Sequence, residues 1–130
     1  MKFFNRITGS LIVLGSLPFV LAGCGAEAVS FSQAVKPILD QNCMTCHKVG
    51  GEGFIASGFS MESYDDLMKG TRYGPMVIPG DSFSSNMVVL IEGRADPSIS
   101  MPFTHGKWKS IAKEDIQTIK LWIEQGAKNN

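Results

Sequence analysis

The sequence predicts an all-α fold of about four helices, on three observations. Four stretches carry apolar residues at helical spacing: one running from about residue 31 to the cysteines, Tyr64–Lys69, 82–92 and 113–125. Glycine and proline punctuate the segments between them. The pentapeptide Cys43-Met44-Thr45-Cys46-His47 stands at the end of the first stretch, where a helix can deliver it.

The chain has 130 residues, enough for one domain, with 12 basic and 12 acidic residues. Residues 1–23 read as an export signal. Lys2 and Arg6 form a positive start, and the apolar run from Ile7 to Leu21 is short for a membrane span and is interrupted by Pro18. Leu21-Ala22-Gly23-Cys24 then resembles the bacterial lipobox, in which Cys24 becomes the first residue and carries the lipid. The alternative is cleavage after Ala26-Glu27-Ala28, which discards Cys24. The lipobox is preferred because it accounts for an otherwise free thiol in an oxidising compartment. By the same resemblance, Gly25 rather than Asp after the cysteine points to the outer membrane. Expected boundaries are therefore a signal at 1–23, a lipidated cysteine and short tether at 24–29, and one domain at 30–130. Removing the signal leaves 107 residues with 10 basic and 12 acidic side chains. No basic stripe calls for a nucleic-acid partner.

Each helix has its own punctuation. Ser30-x-x-Gln33 reads as a capping box, and Phe31, Val35, Ile38 and Leu39 fall on one face of the helix it opens. Pro37 is awkward inside a helix and predicts an irregular first turn or a kink. Residues 48–60, with four glycines, read as loop. Ser63 caps Tyr64–Lys69, Asp65 and Asp66 suit the first turn, and Gly70 ends it. Asp81 or Ser84 is the expected cap of 82–92, with Gly93 as its stop. Met87 to Ile91 alone would also pass for strand. Residues 94–110 read as loop. The last helix buries Ile116, Ile119, Trp122 and Ile123 and stops at Gly126.

Cys43-x-x-Cys46-His47 is the attachment signal of a c-type haem. Two thiols on one turn of chain add to the two vinyl groups of a single porphyrin, and the adjoining histidine supplies an imidazole to the iron. A redox Cys-x-x-Cys pair expects a βαβ setting that is missing here. A zinc site wants four Cys or His ligands, and only Cys24 and His105 remain. For the sixth iron position the candidates are Met61, Met68, Met76, Met87, Met101 and His105. Met68 and Met87 read as core filler, and His105 as an exposed loop histidine. Met101 is preferred: it sits in a loop before Pro102, 54 residues after His47, which leaves room for the chain to return to the opposite haem face.

Taken in order, Val35-Lys36-Pro37-Ile38-Leu39, Cys43 to His47, Pro79-Gly80, Met101-Pro102 and Trp122-Ile123-Glu124-Gln125-Gly126-Ala127 resemble the class I, single-haem bacterial cytochromes c, over about residues 30–127. That resemblance implies a cytochrome c-like fold of about four helices wrapped around one covalent haem c. It implies that the first and last helices cross near the haem, with thioethers at Cys43 and Cys46 and axial His47 and Met101. The final helix of such domains often opens with Ser or Thr, where this chain has Ala112 and so a weak cap.

The expected function is a lipid-anchored electron carrier on the periplasmic side of the cell envelope. It would serve redox protein partners, with no small-molecule substrate and no enzymatic activity of its own. Two other classes are an electron-entry module or subunit of a larger redox complex, and a haem enzyme or gas sensor with an open sixth site. Met101 discriminates carrier from sensor. Carrier and subunit would use the same residues.

Overall fold

The computed structural model describes residues 27–130. The export signal and Cys24 lie outside the described residues. Among the described residues no helix is long and apolar enough to cross a membrane.

The first helix opens as one wide, π-pitched turn, Phe31–Val35, and continues as α1, Lys36–Asn42. The irregularity stems from Pro37. Its ring displaces the carbonyl one α-turn earlier and it has no N–H to donate. Widening the turn shifts the register, so Val35 N–H donates to Ser30 O at 3.2 Å and Lys36 N–H to Phe31 O. Ser30 Oγ accepts Gln33 N–H, as its place in the sequence predicts. Two further donors of this helix end are satisfied by Asn130, whose side-chain Oδ1 accepts Phe31 N–H and whose backbone O accepts Ser32 N–H. Val29 N–H donates to Gln125 Oε1, and Gln125 Nε2–H to Glu27 O. The last residues of the expected tether are thus fastened to the end of the final helix.

Three short helices come next: α2, Glu52–Ser57; α3, Tyr64–Lys69; and α4, Asn86–Ile91. The long helix α5, Lys113–Glu124, closes the core. α3 has the expected bounds, with Ser63 Oγ accepting Asp66 N–H. α2 occupies a segment whose sequence reads as loop. Its glycines sit at the N-cap (Gly51), within the first turn (Gly53) and at the left-handed C-cap (Gly58). α4 starts four residues later than 82–92 predicts. Asp81 does cap, but it caps a turn: its carboxylate accepts Ser84 N–H, while Ser85 Oγ donates to Asp81 O and accepts Ile78 N–H. Those bonds hold 81–85 out of helical register.

The fold class needs one correction. The protein is helix-rich but not purely α, because a two-stranded antiparallel ribbon pairs β1, Phe103–Thr104, with β2, Lys107–Trp108. His105 and Gly106 form its two-residue turn, both at positive φ, the backbone that two-residue hairpins require. The segment reads as loop because it lacks an Asn-Gly or Asp-Gly signal.

The core lies between the first helix and α5. Phe31, Val35, Ile38 and Leu39 share one buried cluster with Ile116, Ile119, Trp122 and Ile123, and with Leu67, Met87, Val88 and Ile91 from the short helices. Trp122 is fully buried, its ring 5.5 Å from Phe31, and its Nε1–H donates to Lys128 O. Tyr64 completes the aromatic cluster and donates its hydroxyl to Ala127 O. Truncating Trp122 removes the centre of this cluster and leaves a cavity between two helices. Trp122→Ala is expected to cost about 3–5 kcal/mol in chemical denaturation. A loss below about 1 kcal/mol would mean that the ring does not join the two helices.

Candidate functional site

The end of α1 sets the geometry of the pentapeptide. Cys43 and Met44 both donate to Leu39 O, so the chain leaves the helix in a tightened turn. Cys46 and His47 then both donate to Cys43 O, at 3.1 and 3.0 Å. One turn of chain thus carries both thiols and the histidine. Cys43 and Cys46 are half-buried and form no disulfide among the described residues, and His47 is buried.

Burial would be costly for a charged imidazole, and it lowers the pKa of His47 from its ordinary value; a backbone hydrogen bond to Phe59 opposes part of that effect. The neutral ring is the ligating form. Its tautomer is settled by that same bond. Nδ1 lies 3.2 Å from Phe59 O, and a carbonyl oxygen can only accept, so Nδ1 carries the proton and Nε2 keeps its lone pair. The Phe59 ring meets the imidazole edge-on at 5.4 Å.

Residues after the motif wrap back over it. Phe54 N–H donates to Cys46 O and Met61 N–H to His47 O. The approach is close enough to exclude side chains at two positions. A Cβ on Gly51 would lie 2.4 Å from Cys46 O, and one on Gly53 would lie 2.6 Å from Cε1 and 2.9 Å from both nitrogens of His47. The glycines of this segment read in the sequence as permissive backbone. Here Gly51 and Gly53 are required for space instead. Neither they nor Phe59 stand out in the sequence, since nothing in the linear pattern shows which glycine faces a side chain.

This donor set fits a haem with two thioethers and one imidazole. The Cys43 thiol is pushed up to about 12, by burial and then by its neighbour Cys46. A dithiol redox centre needs the opposite, a thiol depressed toward neutrality. Zinc fares no better: among the described residues no group of three or more His, Cys, Asp or Glu lies together to hold a metal ion.

Met101 is half-buried against the core. Its N–H donates to Leu90 O at the end of α4, and its carbonyl accepts Trp108 Nε1–H at 2.9 Å. His105, the other loop candidate, is exposed at the tip of the ribbon. Met61 and Met87 are buried in the core, and Met68 and Met76 pack partly against it. Trp108 is a residue that sequence reasoning missed altogether, because its contact runs through the ribbon.

A family model described as Planctomycete cytochrome C matches residues 43–102, from the first cysteine of the motif to the proline after Met101. The chain carries a c-type cytochrome domain. Such a domain holds covalently bound haem c, for which Cys43 and Cys46 have the required spacing, and it serves electron transfer. No curated protein and no solved structure matched the chain.

The contact at Gly53 gives a test of the imidazole cradle. Gly53→Ala is expected to overpack the ring at a cost of about 1–3 kcal/mol. The haem protein should show a ferric spectrum shifted toward high spin, with helix content by circular dichroism retained. An unchanged spectrum with unchanged stability would refute the cradle.

Proposed function

We propose that this chain is a single-electron carrier of the cell envelope, with its haem iron held between His47 and Met101. In this reading Cys43 and Cys46 form the thioethers, and the helices fold around one haem in a cytochrome c-like arrangement. The observation that carries the reading is the setting of His47: buried, with Nδ1 tied to Phe59 O so that Nε2 is left as the donor to a metal.

When bound, the haem supplies an iron that changes oxidation state by one electron. The chain's residues do the rest. Phe59 O and the bare backbone of Gly53 fix the imidazole plane, so little rearranges when charge changes. Met101 offers a thioether, a soft donor that favours the reduced metal and raises the potential. Its backbone is tied at both its N–H and its C=O, which supports a fixed rather than a roaming sulfur. With both axial positions filled there is no place for a small-molecule substrate. The partners of this reading are redox proteins.

The membrane anchor belongs to the same proposal. Leu21-Ala22-Gly23-Cys24 supports lipidation of Cys24 and a periplasmic-side location, with Gly25 supporting the outer membrane. Glu27 and Val29 are fastened to Gln125, so the free tether from Cys24 is very short and would hold the domain close to the lipid surface. Cys24→Ser is expected to release the protein from membranes or to block its processing. A mature N-terminus at Val29 with no lipid would contradict the anchor.

Met101→Ala tests the ligand. It is expected to open the iron, lower the potential, and let carbon monoxide bind the ferrous form readily, while Met87→Leu leaves the spectrum unchanged. Rapid carbon monoxide binding by the unmutated ferrous protein would instead favour a sensor or enzyme. Loss of the closed spectrum in His105→Ala, with Met101→Ala unaffected, would reassign the ligand to His105.

A further inference from the structure

The ribbon Phe103–Trp108 folds back on the residue that precedes it, and it does so through one side chain. Trp108 Nε1–H donates to Met101 O at 2.9 Å. Lys109 N–H donates to Pro102 O at 3.1 Å and continues the pairing beyond Phe103 opposite Trp108. The indole is seated against Gly93: a Cβ there would lie 2.7 Å from Cη2 and Cζ2. From the other side, Leu90 O at the end of α4 accepts Met101 N–H. Ser100, just before, is fully buried, with its hydroxyl on Asp96 O and Ala95 O. Both backbone polar groups of Met101 are therefore occupied by partners from different elements, and among the described residues the side-chain partner is Trp108.

We propose that Trp108 is the positioning residue of the Met101 ligand: its indole N–H holds the Met101 carbonyl and so sets how often the thioether leaves the iron. The inference rests on Met101 being the sixth ligand. The physical argument is one of populations. A loop ligand exchanges between a bound, closed state and an open one, and an external molecule binds only the open fraction. A hydrogen bond made in the closed geometry and loosened in the open one multiplies the closed-to-open ratio by the Boltzmann factor of its net worth, and so divides the small open fraction by it. For a neutral bond of this kind that is a factor of about 2 to 12. The seat at Gly93 adds direction, since it fixes the ring plane and leaves the N–H aimed at one carbonyl.

The experiment is carbon monoxide association with the ferrous haem protein, measured by flash or stopped-flow mixing, in four proteins. These are wild type, Met101→Ala, Trp108→Phe and Trp122→Phe. Trp108→Phe keeps an aromatic ring in the ribbon and removes the donor together with the benzo carbons that rest on Gly93, as Trp122→Phe does at its own site. Trp122→Phe removes a matched indole bond, to Lys128 O at 2.9 Å, elsewhere in the molecule. The expected result is an association rate about 2- to 12-fold above wild type for Trp108→Phe, a wild-type rate for Trp122→Phe, and a rate above both for Met101→Ala. A wild-type rate in Trp108→Phe, with Met101→Ala fast, overturns the clamp and leaves the ligand in place. Equal acceleration in both tryptophan variants also overturns it, because general loosening then suffices. A wild type already as fast as Met101→Ala overturns the ligand reading, and the clamp with it. The unmutated protein gives a second measurement that needs no variant. Coupling is reciprocal, so displacing the thioether must weaken the bond in turn. Hydrogen exchange of the Trp108 indole N–H should quicken in the carbon monoxide complex by the same factor, with that of Trp122 unchanged. Indole protons that respond alike would refute the clamp.

Discussion

The placement of the His47 imidazole constrains more of this structure than any other contact. A ring buried beside a turn of chain must be neutral, must have one nitrogen satisfied, and must have room. Phe59 O meets the second requirement and Gly53 the third. Meeting both forces residues 48–61 back over the pentapeptide, with Phe54 and Met61 donating to Cys46 and His47. Phe59 and Met61 can then enter the core. The segment that carries the glycines is therefore part of the site, and its helix α2 is a consequence of the wrap.

The surroundings of Met101 are built from weaker local preferences and more long-range ties. Met101 lies in a segment without regular structure, between α4 and a ribbon of two residues per strand. Its position comes from Leu90, Trp108 and the buried Ser100 hydroxyl. α4 is itself linked to α5 through Glu92, whose carboxylate meets Lys120 and Arg94 at 2.7 Å each. Those ion pairs are largely solvent-screened and contribute little to stability, but they orient the end of the helix from which Met101 is hung. His47 is thus held by local wrapping and Met101 by contacts from several elements.

Legibility in the sequence tracks the range of the interactions involved. Ser30, Ser63, Gly70 and Gly126 act on neighbours within a turn, so the ends of the first helix, α3 and α5 can be read directly. The buried faces of the first helix and α5 come from periodicity alone. Pro37 announces its irregular turn for a covalent reason. The misses share a different origin. α4 is shortened by Ser85 bonding back to Ile78 and Asp81, a competition that propensity does not see. The ribbon depends on His105 accepting positive φ, a residue not expected there. Gly53, Phe59 and Trp108 matter for what they touch across sequence separations that no local pattern encodes. The Cys43-x-x-Cys46 pair is legible because haem attachment imposes its own spacing.

The central claim is a haem bonded at Cys43 and Cys46 with His47 and Met101 as its axial ligands. Absorption and magnetic spectra of the purified, unmutated protein, ferric and ferrous, test it most directly. The account predicts a c-type haem, low-spin in both oxidation states, with the sulfur-to-iron charge-transfer band of a methionine ligand in the ferric form. A high-spin ferrous spectrum, or a low-spin ferric spectrum without that band, would contradict it.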